Sequence, residues 1–223
     1  MTLSIVATPI GNLEDVSPRA LRTLAEADVI LCEDTRVTGH LLARYSIVRP
    51  LLSYHAQSLE RRTYEIIELL RSGKNLALVS DAGTPGINDP GGKLVERAVR
   101  EFGDEITIVP IPGPSSPIAA LSVSGFPTDR YRYLGFPPHK KGREKFFDIV
   151  ASSDETVVFL ESTHRIMKAM ESLSKRLPER AIMVGRELTK KFETIYRGTP
   201  SEVTSALKAS TIKGEFVVVV RKP

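Results

Sequence analysis

The sequence predicts an α/β protein made of two α/β domains, residues 1–113 with a mostly parallel sheet and residues 114–223 with a mixed one. Three observations carry this expectation. Short apolar runs alternate with helical patterns along the chain, as they do where strands cross over through helices. The stretch SDAGTPGINDPG (residues 80–91) lies directly behind the apolar run 76–79. Its Gly83, Pro85, Gly86, Pro90 and Gly91 forbid a helix or a paired strand, so a strand there feeds a shaped loop. Finally, PIPGPSSP (residues 110–117) is the strongest composition break in the chain and reads as a turn and a domain hinge.

Taken in order, residues 3–7 are an apolar run stopped by Thr8-Pro9-Ile10-Gly11, and Asp15-Val16-Ser17-Pro18 starts a helix running to about residue 27. Residues 29–32 form a second strand. The polar cluster Glu33-Asp34-Thr35-Arg36 follows, then a helix over 37–45. A third strand is read at 51–54, a helix at 59–70, and a strand at 75–79 that enters the glycine-rich loop. A helix over 92–102 and a strand over 106–109 complete a pattern typical of a parallel sheet covered on both faces. Beyond the break, helix is read at 118–122 and strand at 131–134. Pro137-Pro138-His139-Lys140-Lys141-Gly142-Arg143 makes a basic, turn-rich connection. Helices at 144–150, 165–177 and 201–210 then interleave with strands at 156–160, 182–184, 193–197 and 215–220.

Composition narrows the function. Hydrophobic residues at 41% and charged residues at 26% are those of a globular protein, and no apolar run is long enough to span a bilayer. The N-terminus has no basic region ahead of its apolar run, so it reads as a first strand rather than a signal peptide, and a cytoplasmic protein is expected. The lone Cys32 allows no intrachain disulfide. A net charge of +4 permits an anionic partner without requiring one.

A glycine-rich loop in an α/β protein first suggests phosphate binding, but the spacings fail. From Gly86 to Lys93 the second glycine of a P-loop falls one place wrong, and Leu94 stands where Ser or Thr is needed. The candidate loops mix backbone, hydroxyl and apolar surface with little positive charge, which suits an adenosine-bearing ligand without a polyphosphate. His40, His55, His139 and His164 lack paired spacing, so no metal site is expected. Glu33-Asp34-Thr35-Arg36, at a strand end, reads either as carboxylates that deprotonate a substrate hydroxyl or as a helix cap with an ion pair. The basic segment 139–145 reads either as a phosphate contact or as a solvated helix start.

Five ordered stretches, VATPIGNLEDVSPRAL (6–21), CEDTR (32–36), SDAGTPGINDPG, PIPGPSSPIAAL (110–121) and GEFVVVV (214–220), together resemble the tetrapyrrole methylase superfamily. The resemblance covers nearly the whole chain. It implies two α/β domains with S-adenosylmethionine held in a cleft between them, and a homodimer. By matching position it assigns cofactor contacts to Ile10, Thr84, Ile87, Ser115, Ser116, Leu160, Gly185 and Glu215. GTPG in place of the GDPG of many members, together with EDTR, points to the ribosomal RNA branch. There the implied reaction is 2'-O-methylation of a cytidine ribose in the decoding region of small-subunit (16S) ribosomal RNA, so the expected partner is ribosomal RNA or the small subunit itself. Asp34 is the first expectation for the base, with Arg36 holding a phosphate or that carboxylate. Glu33 and His55 stand in reserve, and Asp81 is expected near the methyl acceptor. A C-methyltransferase of a corrin or siroheme precursor and a non-catalytic RNA-binding assembly module are the competing readings. Relatives often continue past the last strand into a small helical extension, whereas this chain stops at Pro223; where that extension grips RNA, affinity is expected to fall.

Overall fold

The computed structural model describes residues 1–55, 59–210 and 212–223. It divides into two units, Met1–Ser115 and Ser116–Pro223. Among the described residues no helix is long and apolar enough to cross a membrane.

The first unit runs β1 (Thr2–Val6), α1 (Pro18–Glu26), β2 (Val29–Cys32), α2 (Thr35–Arg44), β3 (Leu51–Ser53), α3 (Leu59–Arg71), β4 (Asn75–Leu78), α4 (Gly91–Phe102) and β5 (Thr107–Ile111). Its five strands lie in the order β3-β2-β4-β1-β5, and every pairing is parallel. The two-residue period of a strand sorts the apolar side chains onto both faces. Val29, Leu31, Leu76 and Leu78 join Ile66, Ile67, Leu94 and Ala98 of α3 and α4, whereas Ile30, Cys32 and Ala77 join Ala20, Leu24 and Leu42 of α1 and α2. A sheet covered on both sides is the reason these strands read as unbroken apolar runs.

Local chemistry sets the helix starts. Ser17 accepts the Ala20 N–H and Pro18 takes the first helical position of α1. Asp34 does the same for α2, accepting the Arg36 N–H at 2.8 Å, so that helix begins two residues ahead of the expected Val37. Pro110 and Ile111 depart from the expected turn, since both belong to β5. The strand lies at the sheet edge, bonded through Thr107 N–H to Met1 and through the Ile111 carbonyl to Ala7. Alternation turns the position of Pro110 away from β1, where a missing N–H costs the ladder nothing.

The second unit runs α5 (Ser116–Ser124), β6 (Tyr131–Tyr133), α6 (Arg143–Ser152), β7 (Thr156–Ser162), α7 (Ile166–Arg176), β8 (Ile182–Arg186), β9 (Thr194–Gly198), α8 (Pro200–Lys208) and β10 (Glu215–Val220). Its sheet is mixed, in the order β6-β7-β10-β8-β9, with only β6 and β7 parallel. One face carries Val157, Phe159, Ile182, Val184, Phe216, Val218 and Val220 under α6, α7 and α8. The short helix α5 packs against β7, β8 and β10. Phe147 is fully buried and meets Phe146 and Phe159 edge-on, with centroids 5.4 and 6.0 Å away. Phe147→Ala empties that corner of the core and should cost about 3–5 kcal/mol, read as a lower midpoint in urea denaturation.

Candidate active site

The carboxyl ends of β2, β4, β1 and β5 lie side by side, and the loops leaving them are bound to one another. Thr8 donates its N–H to the Gly83 carbonyl at 2.9 Å and accepts the Gly83 N–H at 3.1 Å, a small antiparallel bridge inside the expected loop. The Thr8 hydroxyl, buried, donates to the Ser80 carbonyl at 3.1 Å. Thr84 donates to the Pro114 carbonyl at 3.3 Å, tying in the loop after β5. The expectation that residues 80–91 cannot pair as a strand therefore needs one correction, since a glycine in this loop makes a single bridge that no regular strand continues.

Glycine is required at two points of this floor. Gly83 holds φ at +84°, a conformation L side chains rarely adopt. A Cβ on Gly113 would stand 3.0 Å from the Ala7 Cβ, so the β5 loop reaches the β1 loop only without a side chain. Asp89 organises the rest of the segment. Its carboxylate accepts the Gly86 N–H at 2.8 Å and the Gly91 N–H at 2.7 Å, folding the loop back onto the first residue of α4.

Of the expected residues in this unit, Ile10 is buried, Thr84 is half-buried, and Ile87 is 53% exposed despite its size. An apolar side chain held out of the core beside hydroxyls offers a surface for a flat apolar ligand. Residues 80–92 contain no Lys or Arg. That donor set fits an adenosine-like group and does not fit a polyphosphate.

The acidic cluster lies at the β2 end of the same row of loops. Asp81 accepts the Asp34 N–H at 3.0 Å, clasping the β2 loop to the β4 loop. The carboxylate of Asp34 is engaged at both oxygens. It takes the Arg36 backbone N–H and, in fork fashion, the Arg36 guanidinium at 3.1 and 2.6 Å. The hydrogen bonds from Arg36 hold the Asp34 carboxyl well below the usual carboxylate range. Both sequence readings of Asp34-Thr35-Arg36 meet here, and cap and ion pair describe the observed bonds. Glu33 behaves oppositely. Burial pushes its carboxyl above the ordinary value, with repulsion from Asp81 and Asp89 adding to the rise and the Asp81 backbone N–H pulling the other way. His55 lies two residues past the end of β3.

In the second unit, register brings together residues that sequence distance separates. Leu160 of β7 and Gly185 of β8 both stand opposite Val217 of β10, and alternation puts this row on the face away from Phe159, Val184 and Val218. Glu215 shares the parity of Val217 at the end of the same strand. Two expected contacts are already occupied. A Cβ on Gly185 would fall 2.9 Å from Leu188, so a neighbouring side chain fills that gap, and the Glu215 carboxylate accepts Lys190 at 2.9 Å. Ser116 opens α5, with Ser115 just before it. Sequence reasoning assigned no individual role to Thr8, Asp89 or Val217. Thr8 and Asp89 were visible as polar residues among loop-formers, whereas Val217 had no local signal, because only strand pairing selects it.

The model of the family described as tetrapyrrole (corrin/porphyrin) methylases matches residues 2–204. A protein of Thermotoga maritima called ribosomal RNA small subunit methyltransferase I is 43% identical over 218 residues, covering 98% of this chain and 97% of that one. The protein of the same name in Xylella fastidiosa is 47% identical over 224 residues, covering 99% and 81%. Among solved structures, a diphthine synthase superposes with a TM-score of 0.74 at 18% identity over 99% of this chain and 90% of that one, a likeness of fold alone. A match across almost every element from β1 to α8, together with such identities over 81–97% of the relatives' length, establishes that this chain belongs to the tetrapyrrole (corrin/porphyrin) methylase family.

Proposed function

We propose that the chain is an S-adenosylmethionine-dependent methyltransferase of small-subunit ribosomal RNA, acting on the ribose 2'-hydroxyl of a cytidine in the decoding region. The observation that carries this reading is the 43–47% identity, over nearly the whole chain, to proteins named for ribosomal RNA small-subunit methylation. The cation-free floor of residues 80–92 supports an adenosine-bearing methyl donor. Candidate contacts to it are Ile10, Thr84, Ile87 and Ser115 in the first unit, and Ser116, Leu160, Gly185 and Glu215 in the second. A cytoplasmic homodimer belongs to the same reading.

When bound, S-adenosylmethionine supplies a sulfonium methyl open to in-line displacement by a ribose oxygen. The chain's own residues have to align that oxygen and take its proton. Asp34 is poorly suited to the second task, because the Arg36 backbone N–H and guanidinium lower its basicity and engage both of its oxygens. Glu33 suits it better, since a carboxylate made more basic by burial and by two acidic neighbours accepts a proton more readily. On this assignment Asp34 and Arg36 fix the start of α2, and Asp81 holds the backbone that carries Glu33.

Three outcomes are expected from methyl transfer to unmethylated small subunits, read by mapping ribose methylation. Glu33 must be ionised to act, and its pKa is raised in the folded protein, so kcat/KM should rise with pH through a midpoint above the ordinary glutamate value. Glu33→Gln should remove that acid limb and lower the rate about 10²–10⁴-fold. Asp34→Asn should stay within about tenfold of the parent, because Asn caps a helix as well as Asp does. Loss of activity in Asp34→Asn with Glu33→Gln unaffected would return the base to Asp34. Methylation of a tetrapyrrole precursor in place of subunits would sink the substrate assignment. Calorimetry tests the donor floor separately, where Ile87→Ala should weaken S-adenosylmethionine binding about tenfold by removing an apolar contact.

A further inference from the structure

Glu161 is the most deeply buried charged side chain of the second unit, with its side chain 0% exposed, and methyl transfer gives it no task. Two arginines close on it from different elements. Arg143, the first residue of α6, stands 3.0 Å from Oε2, and Arg165, just before α7, stands 3.1 Å from Oε1. Both guanidinium groups are nearly enclosed, at 12% and 16% exposure, and Arg143 stacks over the Phe147 ring at 5.1 Å. Burying such a triad costs desolvation that its mutual attraction about repays, so stability alone does not account for it. What it delivers is position. Arg165 donates to the Pro137 carbonyl at 3.0 Å and Arg143 to the Pro138 carbonyl at 3.4 Å.

Those two carbonyls belong to the connection between β6 and α6, Phe136-Pro137-Pro138-His139-Lys140-Lys141-Gly142. Both ends are also fixed. Gly135 accepts the Leu160 N–H at 2.9 Å, and the Arg143 N–H donates to the Lys140 carbonyl at 3.2 Å, closing a turn that Gly142 completes with φ at +90°. Two prolines stiffen the segment between them. This rigid turn holds out Phe136, 51% exposed, followed by the exposed His139, Lys140 and Lys141. It contains no acidic residue. Among the described residues neither lysine forms an ion pair, whereas the nearby Glu144 is taken up by Arg176. An exposed aromatic ring beside unpaired cations, on backbone that cannot collapse, is the composition that stacks a base and contacts the phosphates flanking it.

We propose that residues 136–142 form a prong that grips single-stranded RNA through base stacking on Phe136 and phosphate contacts from Lys140 and Lys141, and that Arg143, Glu161 and Arg165 are its positioning residues. The inference rests on reading the substrate as RNA. Since the prong leaves the sheet at Gly135, which is bonded to Leu160, it stands beside the Leu160–Val217–Gly185 row of the same unit.

Binding of a fluorescein-labelled oligocytidine RNA, titrated with salt, tests the prong apart from catalysis. The double variant Lys140→Ala/Lys141→Ala should flatten the slope of log affinity against log salt by about 1.4, near 0.7 for each lost contact to a single strand. Phe136→Ala should weaken binding about tenfold with the slope unchanged. All three side chains are exposed, so these variants should fold, and their S-adenosylmethionine affinity by calorimetry should equal that of the parent. Glu161→Gln should raise KM for small subunits while leaving kcat and S-adenosylmethionine affinity in place; if it fails to fold, the surface variants decide alone. Equal RNA affinity and salt slope in parent and surface variants would overturn the proposal, as would a parent that does not bind the RNA. Either result leaves the methyltransferase reading to be judged on assembled subunits. Conversely, a parent that binds RNA through the prong but transfers no methyl group supports the prong and removes the proposed activity.

Discussion

Two backbone hydrogen bonds between Thr8 and Gly83 hold the first unit's site together. They stitch the loop after β1 to the loop after β4 at residues that belong to no regular strand or helix. The stitch uses the positive φ of Gly83, and next to it the β5 loop packs on Ala7 only because Gly113 has no side chain. With that stitch in place, Thr84 reaches Pro114 and Asp81 reaches the Asp34 backbone, so four parallel strands present one connected floor. Without it, buried peptide groups at the strand ends would have to find water in the middle of the site.

Charge is sorted within the chain in a way its small net value hides. The floor of the first unit gathers Glu33, Asp81 and Asp89 with no cation inside the loop, and burial, with repulsion from the two aspartates added to it, raises the Glu33 pKa above that of a solvent carboxylate. Among the described residues Arg36 pairs with Asp34 alone. In the second unit the acidic partner is buried and the cations are displayed, with Glu161 consumed by two arginines whose carbonyl contacts shape a turn bearing two lysines that form no ion pair among the described residues. One carboxylate is thus raised in pKa by burial and acidic neighbours, while another is paired with two arginines that also bond backbone carbonyls.

Much of this was legible in the residues. Strands 29–32 and 215–220 fall where the apolar runs lie, because a strand buried on both faces needs no alternating pattern and ends where polar residues begin. The glycine-rich stretch declared a loop through its own backbone limits. The shortfall is as instructive. Pro110 looked like a breaker and lies in a strand, since only sheet order reveals that β5 is an edge. The start of α2 was misplaced by two residues because a side-chain cap, rather than the apolar periodicity, sets it. Asp34 and Glu33 are adjacent carboxylates that no sequence pattern separates, and their opposite shifts come from a partner two residues along in one case and, in the other, from burial first and then from Asp81 and Asp89 in a loop far along the chain.

By itself, then, the sequence determined the alternation of strands and helices, the loops at their ends, the exclusion of a P-loop phosphate site, and enough ordered motifs to resemble one family. These are properties of local backbone freedom, side-chain size and spacing, which short stretches carry within themselves. Only the tertiary structure decided which loops are stitched together, that Leu160, Val217 and Gly185 share a row, that Asp34 is spent on Arg36 while Glu33 is left basic, and that Glu161 holds a basic turn from beneath. Each of these depends on pairing register and burial between segments far apart in the chain, and on the low local dielectric that burial creates.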